Sequence, residues 1–213
     1  MNYLENERNM RTKQKLRLSV LATGTILLII LGLYWAYSTI KPVPTGLEQA
    51  FNPNGDFTLL EDNGKIFHLR DHRGKVVLLF FGYTSCPGVC PLTLAKLAKV
   101  RTLLGAASQK VMTVFVTVDP QYDTAARLTE YLGYFDINAV GLTGTKTQID
   151  KVVHDYKASY QKIPIKSALG YFINHTSIVY LIDKQGKVRY LFHQDDSPEK
   201  MVRIIKETIS TDK

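Results

Sequence analysis

Apolar and polar positions divide the chain into an uninterrupted apolar segment near the amino terminus and a longer region of short periodic segments. The apolar segment, residues 18–40, has no charged side chain and is long enough for a helix to span a bilayer with some tilt. Basic residues precede it and aromatic residues lie at its far end, so the positive-inside tendency places the amino terminus in the cytoplasm. We expect a cytoplasmic tail at 1–17, a retained single-pass transmembrane signal anchor at 18–40, and a linker at 41–54.

From residue 55 onward, β-prone runs alternate with segments in which apolar residues have helical spacing. Residues 159–174 fit neither period, and we expect a long insertion loop or an irregular hairpin there. Asp123 is a candidate N-cap. This order predicts an α/β, thioredoxin-like fold for residues 55–213, with a mixed sheet flanked by helices. We expect strands at 56–60, 65–69, 75–81, 111–118, 140–144, 176–182 and 187–192, and helices at 91–105, 124–134, 146–158 and 197–210.

The strand at 75–81 runs into a stretch with two cysteines, residues 82–91, which read GYTSCPGVCP. Cys86 and Cys90 are the two cysteines of the chain. Pro87-Gly88 disfavours a regular helix between them and leaves a bent loop, which can close as a disulfide or hold one soft metal ion. The start of the following helix favours the thiolate form. A structural disulfide is the plainer interpretation, but so small a loop would remove little chain entropy.

The charge balance changes this picture little. The formal net charge is +8 and the pI is about 9.4, but five basic residues precede the apolar segment and the others form no basic block. We therefore expect a solvated surface and no nucleic-acid partner. Glu5 and Glu7 argue against a mitochondrial transit peptide. We expect a protein of the bacterial inner membrane whose soluble domain faces the periplasm or the cell exterior, where disulfides are permitted.

His175 is a further candidate ligand. In the predicted topology it stands at the start of the strand at 176–182, beside the cysteine turn, where open α/β sheets usually place their sites. Together with Cys86 and Cys90 it makes a three-ligand set that suits Cu(I) and is compatible with Cu(II), whereas structural zinc normally takes four protein ligands. Three other histidines are interpreted as residues without a ligand role: His68, His72 and His154.

Two other functions would use the same cysteines. In a thiol–disulfide oxidoreductase one cysteine attacks and the other resolves, although the three-residue spacing is wider than that of typical thioredoxin motifs. A peroxide-reducing protein of this fold needs a low-pKa thiol with a nearby arginine, and Arg101 lies well along the helix. A redox role of Cys86 and Cys90 therefore stays open beside metal binding.

At these residues the sequence resembles the Sco/SenC family of membrane-anchored, thioredoxin-like copper-binding proteins. The resemblance implies that Cys86, Cys90 and His175 are ligands of copper, as Cu(I) or Cu(II). It also implies that Asp119 and Asp123 lie near the site and shape it or meet a partner. The similarity covers most of residues 55–205. The segments that carry it are 82–91, 118–120, 123–124, 141–144, 175–176 and 180–181.

The resemblance further implies a role in assembling the binuclear copper centre of cytochrome c oxidase subunit II, by copper delivery, by reduction of that subunit's cysteines, or both. The expected partners are that subunit and copper-donor or thiol-redox proteins. The alternative is a membrane-anchored thiol–disulfide oxidoreductase without a metal role. The chain has Gly88 and Asn174 where the family often has Asp, so we expect weaker attraction for Cu(II) and a more flexible cysteine loop, with the ligands intact.

Overall fold

The computed structural model describes residues 29–32, 56–166 and 170–211. The chain divides into two compact units, Met1–Gly46 and Leu47–Lys213. In the first unit, residues 29–32 form one exposed helical turn, and the rest of the predicted tail, anchor and linker lies outside the described residues. Among the helices of the described ranges, none combines the length and the apolar character that crossing a membrane requires.

The second unit alternates strands and helices. Its strands are β1 (Thr58–Glu61), β2 (Ile66–His68), β3 (Val76–Gly82), β4 (Val111–Thr117), β5 (Ala139–Thr143), β6 (Tyr160–Pro164), β7 (Tyr171–His175), β8 (Val179–Ile182) and β9 (Val188–Phe192). Its α-helices are α1 (Val89–Leu104), α2 (Ala125–Gly133), α3 (Lys146–Asp155) and α4 (Pro198–Thr211).

Seven of these strands form one mixed sheet, in the order β2-β1-β5-β4-β3-β8-β9. Strands β3, β4 and β5 are parallel to one another, while β8 pairs with β3 in the antiparallel direction. All seven residues of β3 are buried, which explains why its sequence is uniformly apolar rather than alternating. Because parallel strands end at the same edge of a sheet, the segments that follow β3 and β4 meet there. The thioredoxin-like α/β fold predicted from the sequence is confirmed.

The helices begin and end close to the predicted positions, with one correction at a cap. The N-cap of α2 is Thr124, whose hydroxyl accepts the Arg127 N–H, and not Asp123 as the sequence suggested. Asp123 is buried instead and accepts hydrogen bonds from Thr84 and Thr117. Helix α1 begins at Val89, two residues earlier than expected, because the chain turns directly from Gly88 into the helix.

The segment that fitted neither period forms a separate two-stranded antiparallel sheet, β6–β7. Its register pairs Tyr160 with His175 and Lys162 with Ile173. His175 is therefore the last residue of β7, and the strand that we predicted at 176–182 begins only at Val179. Residues directly opposite in an antiparallel pair share a face, so Lys162, Ile173 and His175 lie on the same face of this hairpin.

Candidate metal centre

The two cysteines lie between the end of β3 and the first turn of α1. Cys90 is the second residue of α1 and has no exposed surface, whereas Cys86 in the preceding loop is 9% exposed. Both cysteines are free, with no disulfide between them. Gly82 permits this packing, since a Cβ there would lie 2.8 Å from Cys90 Sγ and 2.7 Å from the Phe115 ring. The strand therefore has to end in glycine for the helix to approach it.

The two sulfurs differ in protonation. Cys90 N–H donates a hydrogen bond to Cys86 Sγ at 3.5 Å. The hydrogen bond between the two thiols, supported by His175 and backbone amides, lowers the pKa of Cys86 to about 3 despite its burial. The same hydrogen bond, together with burial, raises the pKa of Cys90 far above the ordinary range of a thiol. The pair thus holds a thiolate at Cys86 and a protonated thiol at Cys90.

His175 presents one ring nitrogen to the cysteines. Its Nε2 lies 3.4 Å from Cys90 Sγ, and its Nδ1 lies 3.0 Å from the carbonyl oxygen of Thr176. A carbonyl oxygen only accepts, so Nδ1 carries a hydrogen, and Nε2 is the ring nitrogen that faces the sulfurs. Thr176 is fixed in turn, because its N–H donates to the Ser159 carbonyl at 2.9 Å. This is the arrangement that orients histidine ligands in metal sites.

The structure brings together the three predicted ligands. The two sulfurs and one imidazole nitrogen of Cys86, Cys90 and His175 all lie within 4.8 Å of one another. Across residues 56–166 and 170–211 this is the one group of three or more His, Cys, Asp or Glu side chains placed to hold a metal ion. Thiolate and imidazole donors suit copper, and two sulfurs favour Cu(I).

The histidines interpreted as residues without a ligand role lie in other surroundings. His68 Nδ1 is 2.7 Å from the Thr58 hydroxyl, and His72 stacks on Phe67 with ring centroids 4.6 Å apart. The exposed His154 lies beside Asp155, 3.6 Å from its carboxylate.

Asp123 supports the loop that precedes the cysteines. Its carboxylate accepts hydrogen bonds from the Thr84 N–H at 3.0 Å, from the Thr84 hydroxyl at 2.5 Å and from the Thr117 hydroxyl at 2.6 Å. Burial raises the pKa of Asp123 against these hydrogen bonds. The residue thereby ties the end of β4 to the start of the cysteine loop, two residues before Cys86.

Asp119 holds the β6–β7 hairpin. The carboxylate is 1% exposed and receives Lys162 Nζ at 2.8 Å on one oxygen and the Tyr171 hydroxyl at 2.6 Å on the other. Lys162 also lies over the Tyr171 ring, 4.2 Å from its centroid. This hairpin ends in His175, so Asp119 fixes the element that carries the histidine. The role of Lys162 and Tyr171 was not predicted from the sequence. The only signal for it was the alternation of residues facing opposite sides of a short hairpin.

The fold and this site define a class: thioredoxin-like proteins with a Cys-x₃-Cys turn and a distant histidine in one soft-metal ligand set. The SCO1/SenC family model matches residues 46–210, and the chain belongs to this family. Among the relatives, the SCO2-like protein of Rickettsia conorii is 37% identical over 153 residues, which cover 71% of this chain and 75% of that protein. The mitochondrial SCO2 homolog of Bos taurus is 36% identical over 157 residues, 73% of this chain and 59% of that protein.

Solved structures show the same similarity. Bradyrhizobium japonicum ScoI with copper bound has a TM-score of 0.67 and 36% identity, and the match covers 72% of this chain and 98% of that one. Yeast Sco1 with copper bound has a TM-score of 0.67 and 29% identity, with coverage of 74% and 88%. BsSco, whose structure is described as identifying a disulfide switch in a member of the Sco family of cytochrome c oxidase assembly proteins, has a TM-score of 0.60 and 25% identity, with coverage of 74% and 93%.

Proposed function

We propose that this chain is a copper-binding assembly factor for cytochrome c oxidase, with Cys86, Cys90 and His175 as the copper ligands. The observation that carries the proposal is the convergence of two sulfurs and one imidazole nitrogen within 4.8 Å. The copper-bound structures of Bradyrhizobium ScoI and yeast Sco1 support it, as does the description of BsSco as a member of a family of cytochrome c oxidase assembly proteins.

In this proposal copper is the cargo, and its acceptor is the binuclear copper centre of subunit II. Three ligands leave a coordination position for an incoming thiolate of the partner, so the metal can pass by ligand exchange. Cys86 is the more exposed of the two sulfurs, and Cys90 is fully buried. The partner thiolate should therefore approach the copper from the side of Cys86, while Cys90 and His175 stay bound to the metal until transfer.

The test is copper stoichiometry of the full-length chain, purified anaerobically in detergent and loaded with Cu(I). One copper per chain is expected for the wild type, and Cys86→Ser, Cys90→Ser and His175→Ala should each lose tight binding. His154→Ala is the matched control, because that histidine is exposed and lies beside Asp155 rather than the cysteines. Unchanged stoichiometry and affinity in His175→Ala would refute the ligand set. Transfer is then tested by the absorption of the binuclear centre in a reduced, metal-free soluble domain of subunit II.

A second function is favoured by the Cys86 thiolate. In this case Cys86 attacks a disulfide of the partner, one partner sulfur leaves as a thiolate, and Cys90 then resolves the mixed disulfide. Two electrons pass from the dithiol to the partner, and the chain is left with a Cys86–Cys90 disulfide. Fast reduction of a model disulfide by metal-free protein, unaffected by His175→Ala, would favour this activity over copper delivery.

We propose that the chain is a single-pass protein of the bacterial inner membrane whose soluble domain lies outside the cytoplasm. The support is the uncharged segment at 18–40 with basic residues before it. Alkaline phosphatase requires an oxidising compartment, so its fusion after residue 55 should be active in a Gram-negative host. The same fusion with residues 18–40 deleted should be inactive, and equal activity of the two fusions would contradict the proposed topology.

A further inference from the structure

Tyr83 is the first residue after β3, and its hydroxyl lies inside the protein between the cysteine loop and the hairpin. The residue is 1% exposed. Its hydroxyl oxygen accepts the backbone N–H of Ile173 at 3.1 Å. Ile173 lies two residues before His175 in β7 and is also buried. A buried backbone N–H without a partner is costly, so this hydrogen bond anchors β7 directly beside the cysteine loop.

The same side chain contacts the other parts of the site. The Tyr83 ring lies edge-on to the His175 imidazole, with centroids 5.6 Å apart and planes at 86°. The Tyr83 carbonyl accepts the Cys86 N–H at 3.2 Å. Burial raises the pKa of Tyr83, so the hydroxyl keeps its hydrogen.

We propose that Tyr83 is a positioning residue of the metal site: its hydroxyl holds the hairpin that carries His175 beside the cysteine loop. Together with the edge-on contact between the Tyr83 ring and the imidazole, this hydrogen bond sets the distance between the histidine and the cysteines. The positioning stands on the metal-free structure, and its effect on copper affinity rests on the proposed copper-binding function.

Tyr83→Phe tests this inference, because it removes the hydroxyl and keeps the ring. In metal-free full-length protein, hydrogen exchange of the Ile173 amide should become at least about tenfold faster. The NOE between the His175 ring and the Cys90 Hβ protons should weaken. In copper-loaded protein, the Cu(I) affinity should fall about tenfold, because His175 is held less firmly beside the cysteines.

Tyr131→Phe is the matched control. Its hydroxyl is also buried but has no hydrogen-bond partner among the described residues, and its ring packs against Phe115 and Phe135. It should leave the exchange rate, the NOE and the Cu(I) affinity unchanged. The inference is overturned if Tyr83→Phe leaves Ile173 exchange unchanged, or if both variants lower the Cu(I) affinity equally. A wild type that binds no copper would refute the proposed function, and the exchange and NOE measurements would still decide the role of Tyr83.

Discussion

Cys86 and Cys90 have the same side chain and opposite protonation, and this difference predicts their reactivity. Only the thiolate is nucleophilic, and the pKa of Cys86 is lowered to about 3, chiefly by the hydrogen bond with Cys90. Alkylation of Cys86 by iodoacetamide in reduced, metal-free protein should therefore be nearly independent of pH from 5 to 8. The rate should fall only as the pH drops through about 3, where the thiolate takes up a proton.

The alkylation rate of an ordinary cysteine depends steeply on pH in this range. Below its pKa of about 8.5 its alkylation rate falls about tenfold for each pH unit. The Cys86→Ser variant serves as the control, since only the buried Cys90 thiol is left and it should react slowly throughout the range. A wild-type rate that rises steeply between pH 5 and 8 would show that Cys86 is a thiol.

Gly88 separates the two cysteines, and its position predicts the effect of a charge there. A Cβ on Gly88 would meet no heavy atom within 4 Å, so a side chain fits without displacing the loop. Gly88→Asp should raise Cu(II) affinity about two- to fivefold, the size expected of an exposed ionic contact, with a smaller effect on Cu(I). Gly88→Asn has the same shape without the charge and should bind Cu(II) like the wild type. Equal Cu(II) titrations of the Asp and Asn variants would show that the charge at this position has no influence.

At the scale of elements, the β6–β7 hairpin is held at one end by Asp119 and carries His175 at the other. Lys162→Met leaves the nearly buried carboxylate of Asp119 with one partner fewer, and Tyr171→Phe removes the other hydrogen bond. We expect each change to lower the free energy of unfolding by about 1–3 kcal/mol. The loss should be smaller than for a fully buried ion pair, because Lys162 is partly exposed. Copper affinity should fall with it, because a hairpin released from Asp119 no longer holds His175 in place. Urea titration and Cu(I) competition measure the two effects.

Lys166→Met is the control for this prediction. Lys166 belongs to the same hairpin connection, is exposed, and should be replaceable within about 0.5 kcal/mol, as is usual at the surface. If Lys162→Met weakened copper binding no more than Lys166→Met, Asp119 would stabilise the hairpin without influencing the site.

At the scale of the whole molecule, the sequence patterns predicted the features that depend on interactions between residues close together in the chain. The buried run of β3 and the helix after the cysteines could be read directly, because hydrophobic period is a property of neighbouring residues. The family resemblance supplied the ligand set, including a histidine 85 positions from Cys90. The N-cap prediction for Asp123 was wrong because a helix cap and a buried hydrogen-bond acceptor have the same local sequence. Lys162, Tyr171 and Tyr83 act through contacts between distant segments, and no periodicity encodes such contacts.

Copper should stabilise the entire domain, because the proposed ligands come from distant parts of the chain. Cys86 lies in the loop before α1, Cys90 in α1 and His175 in β7. The full set exists only in the folded chain, so binding favours that state. At free Cu(I) one hundred times the dissociation constant, the gain is about 2.7 kcal/mol, which should raise the melting temperature of the full-length chain by roughly 5–10 °C. A Cu(I) chelator should restore the metal-free value. In His175→Ala the two thiols, four residues apart, can bind copper in the unfolded chain as well, so the rise should be less than half. An equal rise in His175→Ala, measured by calorimetry at matched copper activity, would mean that the hairpin does not contribute a ligand.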